Sequence, residues 1–164
     1  NRIGRSPADA EQIELRELLL DVIEVSAPPE GFRIDVPAAL PAITSARSPL
    51  RQIFLNLVGN AVKHHDKDRG HIRITWEDAG PLIAFSVTDD GPGIAPEHHE
   101  DIFTLFQTIK RRDEVEGSGM GLSIVKKILY HHGGTIRVAS EEGKGTTFTF
   151  TWPKTAAPIQ RLGA

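Results

Sequence analysis

Apolar and polar positions follow two different periods along this chain, and each period predicts a different secondary structure. Apolar residues recur every three or four positions in three segments, which predicts helices, and they alternate with polar residues in shorter segments, which predicts strands. The predicted helices begin at Leu15, Pro49 and Met120, and they end before Pro28, around His65 and at His132. Ser48 is the predicted N-cap of the middle helix. The predicted strands are 12–15, 32–36, 42–44, 72–76, 82–87, 135–139 and 146–152.

The order of these elements predicts the fold class. Turn-forming residues at 78–81 and 141–145 join two pairs of strands into hairpins, and helices lie between them in the sequence. This pattern predicts an α+β fold, a two-layer α/β sandwich with one sheet covered on one face by helices. We expect a linker at 1–10, one domain at 11–153 and a flexible tail at 154–164.

Composition narrows the possible classes of function. The 164-residue chain has a net charge of -3 and no cluster of Lys and Arg, so we do not expect nucleic-acid binding. It has no cysteine, which excludes disulfides and thiolate metal sites. No apolar run approaches the roughly 18 residues of a membrane span, so we expect a soluble domain without membrane contact.

Three polar residues of the middle helix form a stripe beside its apolar face. Asn56, Asn60 and Lys63 are four and three residues apart, which places them on one side of the helix. An Asn oxygen can ligate Mg²⁺ and a Lys ammonium can neutralise phosphate, so the stripe suits a magnesium-bound polyphosphate. The alternative is an ordinary solvated helix face.

A turn-forming segment follows the second strand of the first hairpin. It covers residues 88–94 and places Asp89 at the end of the strand. An anionic acceptor at that point can bind an exocyclic amine, and Gly91 and Gly93, which lack a Cβ, would let the backbone approach a planar base. The alternative is a tight turn that needs Asp, Gly and Pro for its shape alone.

A glycine-rich segment leads into the last predicted helix. Gly117, Gly119 and Gly121 leave their backbone N–H groups unhindered, and the positive end of the helix that follows favours phosphate. The spacing of these glycines matches neither the dinucleotide-binding fingerprint nor the Walker loop. The alternative is a flexible loop without a ligand.

The charged stretch before those glycines has the features of a lid. Phe103 and Phe106 would anchor it to the core, and its cations would reach a terminal phosphate. Those cations are Lys110, Arg111 and Arg112. The alternative is a solvated loop with two ordinary core aromatics.

The motifs occur together in a characteristic order. Residues 56–64, 89–93 and 117–122 closely resemble the N, G1 and G2 boxes of the sensor histidine kinases, and residues 103–106 resemble the F box. Any one box is a weak signal, whereas the ordered set is highly specific and covers roughly residues 11–153. The chain therefore resembles the ATP-binding catalytic domain of these kinases.

The resemblance implies a Bergerat-type fold, with a mixed, mostly antiparallel sheet and a mobile ATP lid. The residue matching Asn60 ligates Mg²⁺ in that family, and the residue matching Asp89 bonds the adenine amine. Asn56 matches a residue that lines the same site, Lys63 matches one that faces the phosphates, and these two are the implied catalytic residues. The residues implied to contact ATP are Asn56, Asn60, Lys63, His64, Asp89, Gly91, Gly93, Ile94, Phe106, Arg111, Gly117, Ser118, Gly119, Met120, Gly121, Leu122 and Thr147.

The resemblance also implies a reaction and partners. Related ATPases place a Glu base at the position of Asn56, and Asn cannot act as that base, which favours phosphoryl transfer over hydrolysis. The family's acceptor His lies on a separate dimerising domain, and none of the seven histidines here fits its context. We therefore expect a cytoplasmic kinase domain that uses ATP and Mg²⁺. Its expected partners are an upstream dimerisation domain joined by residues 1–10, a response regulator, and a second copy of the full-length protein. The alternatives are a domain that kept the fold but lost transfer, and an ATP-hydrolysing relative.

Overall fold

The computed structural model describes residues 10–99, 101–103 and 118–155 of the chain. These ranges contain three α-helices, α1 (Leu15–Ser26), α2 (Arg47–Lys63) and α3 (Ser118–His132), and two 3₁₀-helices at Pro96–His98 and Asp101–Phe103. The strands are β1 (Glu11–Ile13), β2 (Phe32–Asp35), β3 (Ile43–Ser45), β4 (Gly70–Ala79), β5 (Leu82–Asp89), β6 (Ile136–Glu141) and β7 (Gly145–Pro153).

Five of the strands form one sheet in the order β2-β4-β5-β7-β6. Neighbouring strands in it are antiparallel except β2 and β4, which are parallel. β1 and β3 pair antiparallel in a separate two-stranded sheet. The mixed, mostly antiparallel sheet and its helices confirm the predicted α+β sandwich.

The helices and one face of the large sheet enclose the core. Alternate residues of β5 and β7 are buried on this face, as the period of a strand requires. Phe54 of α2 packs edge-on against Phe85 and Phe150, with ring centroids 5.1 and 5.2 Å apart. Burying a Phe side chain contributes about 2–3 kcal/mol to stability, so this cluster fixes α2 firmly on the sheet.

The two sheets are joined through Trp152 at the end of β7. Its indole N–H donates to the Ser45 Oγ at 2.8 Å, and the Trp152 ring is almost fully buried. After β7 the chain runs beside β3, where the Thr44 N–H donates to the Lys154 carbonyl at 3.0 Å. Lys154 also pairs with Asp78. Lys154 and Thr155 therefore pack on the fold beyond residue 153, the predicted end of the domain.

The start of α2 differs from the prediction that Ser48 caps the helix. The helix begins at Arg47, and Ala46 is its N-cap, with an extended backbone and no side-chain capping bond. Ser48 lies inside the first turn, where Pro49 is tolerated because its missing N–H has no helical partner to lose. Within the described ranges, no helix combines the length and apolar character of a bilayer span.

Candidate functional site

Asn56 joins the middle of α2 to the start of α3. Its Nδ2 donates to the Gly121 carbonyl at 3.0 Å, and its Oδ1 accepts from the Gln52 amide at 2.9 Å. Two of the predicted motifs, 65 residues apart in sequence, are therefore in direct contact. With both ends of its carboxamide engaged, Asn56 holds the first turn of α3 in place beside α2.

The α2 polar stripe consists of Asn56, Asn60 and Lys63. The Asn60 side chain is half-buried and that of Lys63 is exposed. Among the residues that the structure describes, the Asn60 carboxamide has no hydrogen bond and the Lys63 ammonium has no ion pair. A carboxamide oxygen without a protein partner fits a ligand of Mg²⁺, which prefers oxygen.

His64 directly follows the stripe and ends α2 as its C-cap. Its backbone N–H donates to the Asn60 carbonyl at 3.0 Å, while its side chain remains exposed on one side. Desolvation of the ring, and then the neighbouring Lys63 ammonium, lower the pKa of His64. The ring is consequently neutral at pH 7, and it can accept or donate a hydrogen bond.

Asp89 is the last residue of β5, and it opens the Asp89 loop, residues 89–94. It lies on the face of the sheet that carries the buried Val87, the face covered by helices. The Gly91 N–H donates to its Oδ1 at 2.8 Å. Burial raises the pKa of Asp89, although the backbone N–H groups of Gly91 and Thr146 oppose the shift. The structure thus supplies a desolvated hydrogen-bond acceptor at the end of the strand.

The other end of the Asp89 loop is fixed to the turn between β6 and β7. The Ile94 N–H donates to the Ser140 Oγ at 2.7 Å, and the Gly143 N–H donates to the Pro92 carbonyl at 2.6 Å. Gly93 has a φ of +80°, and a Cβ there would overlap the carbonyl oxygen of Glu141. The close contact with Glu141 therefore explains why residue 93 is a glycine. The alternative interpretation, a tight turn that needs glycine for its shape, predicts such a contact.

The side chain of Thr147, a predicted ATP contact, lies on the outer face of the sheet. Inward residues of β7 alternate with outward ones, and Thr147 is outward: its Oγ1 bonds to Thr88 at 3.0 Å on the face away from the helices. Thr146 is the residue that pairs with Asp89 in the sheet, and it is 6% exposed. Thr146 therefore shares the inward face of the sheet with Asp89, and the alternation along β7 distinguishes it from Thr147.

The predicted phosphate-binding segment is described only in part. Ser118, Gly119 and Met120 form the first turn of α3, so the helix begins two residues before the predicted start, and Leu122 is buried in the core. The Phe103 ring packs edge-on against Phe148 with centroids 6.0 Å apart, as expected of an anchor. Phe106, Lys110, Arg111, Arg112 and Gly117 lie outside the described residues.

Two side chains that fix the Asp89 loop were not predicted from the sequence. Ser140 accepts from Ile94 and also bonds to the Gly145 carbonyl, at 2.9 Å. His65, which follows α2, bonds to Asp90 at 2.8 Å. No local pattern marks either contact, because their partners in the loop are 46 and 25 residues distant.

Comparison with known proteins identifies the family. The family model described as "Histidine kinase-, DNA gyrase B-, and HSP90-like ATPase" matches residues 45–156. The sensor histidine kinase ZraS of Escherichia coli strain K12 is 44% identical over 114 residues, which make up 70% of this chain. The chain spans only 23% of the length of ZraS.

Solved structures show the same similarity. The catalytic domain of histidine kinase ThkA superposes with a TM-score of 0.71 at 32% identity, covering 90% of this chain and 97% of that one. ThkA in complex with response regulator protein TrrA gives 0.66 at 29% identity, covering 93% and 43%. Full-length ShkA in complex with AMPPNP gives 0.76 at 34% identity, covering 91% and 32%. The chain belongs to the family of histidine kinase-, DNA gyrase B- and HSP90-like ATPases, and it is a catalytic domain of the histidine kinase type.

Proposed function

We propose that this chain binds Mg-ATP between α2, the Asp89 loop and the start of α3, and that it transfers the γ-phosphoryl group to a histidine of a separate dimerisation domain. The observations that carry the proposal are two unlike polar regions and the contact of Asn56 with Gly121, which joins α2 to the start of α3. One region offers a desolvated carboxylate, Asp89. The other offers the carboxamide of Asn60 and the ammonium of Lys63, without partners among the described residues.

Asp89 is assigned to the base of the nucleotide. Its carboxylate accepts from the exocyclic amine of adenine, and the same position would repel the carbonyl oxygen of guanine. Thr146 replaces Thr147 in the assignment, because Thr146 is the inward threonine that pairs with Asp89. Gly93 shapes the Asp89 loop through its close packing on Glu141, and Gly91 lets the backbone approach the base.

Asn60 and Lys63 are assigned to the phosphates. The Asn60 oxygen would hold Mg²⁺, which supplies charge neutralisation at the phosphates when bound. Lys63 adds a positive charge one helical turn further on, and Asn56 keeps the N-terminal turn of α3 aimed at the same region. His64 adds a neutral ring to the wall. In the predicted lid, the sequence alone supports the assignment of Phe106 and Arg111 as contacts of ATP.

Transfer rather than hydrolysis follows from Asn56. A carboxamide has no basic oxygen that can take a proton from water at neutral pH, so the nucleophile must come from elsewhere. In the proposed reaction a ring nitrogen of the acceptor histidine forms a P–N bond, the bond from the γ-phosphorus to the bridging oxygen of ADP breaks, and the ring gives up its N–H proton to solvent. The proposed partners are the dimerisation domain, a second copy of the full protein and a response regulator, in the cytoplasm where ATP is available.

The test is calorimetric titration of the chain with ATP in the presence and absence of Mg²⁺, followed by incubation with the separate dimerisation domain. We expect magnesium-dependent binding and acid-labile, base-stable phosphate on a histidine of that domain. Absence of binding would refute the proposal as a whole. Binding with release of inorganic phosphate, and no phosphohistidine, would support a hydrolase instead.

A further inference from the structure

His65 lies just beyond α2, and its ring is enclosed by protein. The side chain is 2% exposed. Phe32 packs against it edge-on, with ring centroids 5.3 Å apart. On another side the ring lies against the backbone of Gly70, where an added Cβ would come within 2.7 Å of its Cδ2 and Nε2 atoms. A histidine enclosed in this way is held in one orientation.

Hydrogen bonds at both ring nitrogens fix the tautomer of His65. The Nδ1 atom accepts the Lys67 N–H at 3.1 Å, so the ring proton of the neutral form resides on Nε2. The Nε2–H therefore donates to the Asp90 Oδ1, at 2.8 Å. The His71 N–H donates to the same oxygen at 2.9 Å. The Asp90 carboxylate is thus tied to the end of α2 and to the start of β4.

These bonds act on the residue next to Asp89. Asp90 follows Asp89 directly, and Gly91, which donates to the Asp89 carboxylate, lies close to His65: an added Cβ would be 3.5 Å from the ring. Burial alone would raise the pKa of Asp90, but the His71 N–H and the His65 ring outweigh it and lower this pKa. Asp90 is therefore ionised at neutral pH, which strengthens its bond to His65.

We propose that His65 and Asp90 are positioning residues for the nucleotide base: their hydrogen bond clamps the first half of the Asp89 loop and so fixes the direction of the Asp89 carboxylate. The inference rests on the proposed function, in which Asp89 receives adenine. Ser140 clamps the second half of the loop. Without the clamp, the nucleotide itself must order the Asp89 carboxylate, and this lowers the affinity for ATP.

The experiment measures Mg-ATP and Mg-GTP affinity for a set of variants by calorimetry, with folding checked by circular dichroism. We expect His65→Ala and Asp90→Ala each to weaken ATP binding roughly tenfold and to reduce the preference for ATP over GTP. The double variant should lose no more than the larger single loss, because both changes remove the same bond between His65 and Asp90. His65→Gln keeps an N–H donor for Asp90 and should restore affinity to within about threefold.

A matched control lies beside the clamp. Asp35 and His71 form a pair of similar length, 2.7 Å, on β2 and β4. Asp35→Ala removes that pair and leaves the His71 N–H free to bond with Asp90, so ATP affinity and base preference should stay within about twofold of the parent. If Asp35→Ala has the same effect as His65→Ala, general loosening of this edge explains the result and the clamp is refuted.

Other outcomes separate the inference from the proposed function. A folded His65→Ala chain with parental ATP affinity and base preference refutes the clamp alone, as do additive losses in the double variant. If His65→Ala does not fold, Asp90→Ala decides, because the Asp90 side chain is 59% exposed and its truncation leaves no cavity. A parent chain that binds no Mg-ATP refutes the proposed function first.

Discussion

The Asp89 loop and the α2 polar stripe differ in how their polar groups are partnered. In the loop, the Asp89 and Asp90 carboxylates, the Pro92 carbonyl and the Ile94 N–H all bond to the protein. In the stripe, Asn60 and Lys63 have no such partner among the described residues. The fold therefore builds the loop in advance of ligand binding, whereas the stripe keeps two groups available for a ligand.

This difference predicts two kinds of variant. A change in the loop should alter the stability of the chain as well as binding, because it breaks contacts that exist without a ligand. A change at Asn60 or Lys63 of the stripe should alter binding alone. Measuring the melting temperature beside ATP affinity separates the two kinds.

Gly93→Ala should cost most. The backbone at Gly93 has a φ of +80°, and the new Cβ would overlap the Glu141 carbonyl oxygen, so the loop must leave the β6–β7 turn. We expect a loss of about 3 kcal/mol of stability, seen as a melting temperature lower by roughly 10 °C. Gly143→Ala is the matched control: its φ is +81° with no atom within 4 Å of the Cβ, so only about 1 kcal/mol should be lost. Equal losses would show that strain, not the contact with Glu141, requires glycine.

Asn60→Ala tests the stripe. Removing the proposed ligand of Mg²⁺ should weaken ATP binding about 100-fold when magnesium is present and little when it is chelated. The melting temperature should not fall, since the carboxamide has no hydrogen bond among the described residues and Ala favours a helix. A lower melting temperature, or a loss of affinity that is independent of magnesium, would contradict the view of the stripe as reserved for a ligand.

Asp89→Asn should weaken binding and strengthen the fold. We expect about tenfold weaker ATP binding and less preference for adenine. Because burial raises the pKa of Asp89, its ionisation destabilises the fold progressively as the pH rises above the ordinary pKa of an Asp, and the loss is complete above the raised pKa. Asn does not ionise, so the variant should melt at a higher temperature at neutral pH, and the difference should vanish in acid.

The same shift predicts a pH dependence for ATP binding. As the pH falls through the raised pKa of Asp89, the carboxyl gains a proton and loses its value as an acceptor. ATP affinity of the parent should therefore start to fall at a higher pH than an ordinary Asp would cause. The Asp89→Asn chain should lack this component, and identical pH profiles for the two chains would contradict the assignment of Asp89.

The features of this molecule that local patterns determine could be predicted from the sequence. The buried face of α2 follows from apolar spacing, and the β4–β5 hairpin follows from its turn. The parallel pairing of β2 with β4 has no local signature, and the choice between Thr146 and Thr147 depended on counting the inward residues of β7. The bond between His65 and Asp90 depends on how α2 and β5 end beside each other, which only the assembled fold determines.

Lys63→Gln should have the smallest effect. Its ammonium is exposed, so water and salt screen its attraction to phosphate, and we expect ATP affinity to fall only about threefold at low salt and less at high salt. The melting temperature should stay unchanged, as for Asn60→Ala. Lys67→Gln is the control for net charge: Lys67 lies beyond the helix and pairs with Asp66 at 3.7 Å. An equal loss in Lys67→Gln would mean that ATP responds to the overall charge of the chain, and the stripe would then be reduced to Asn60.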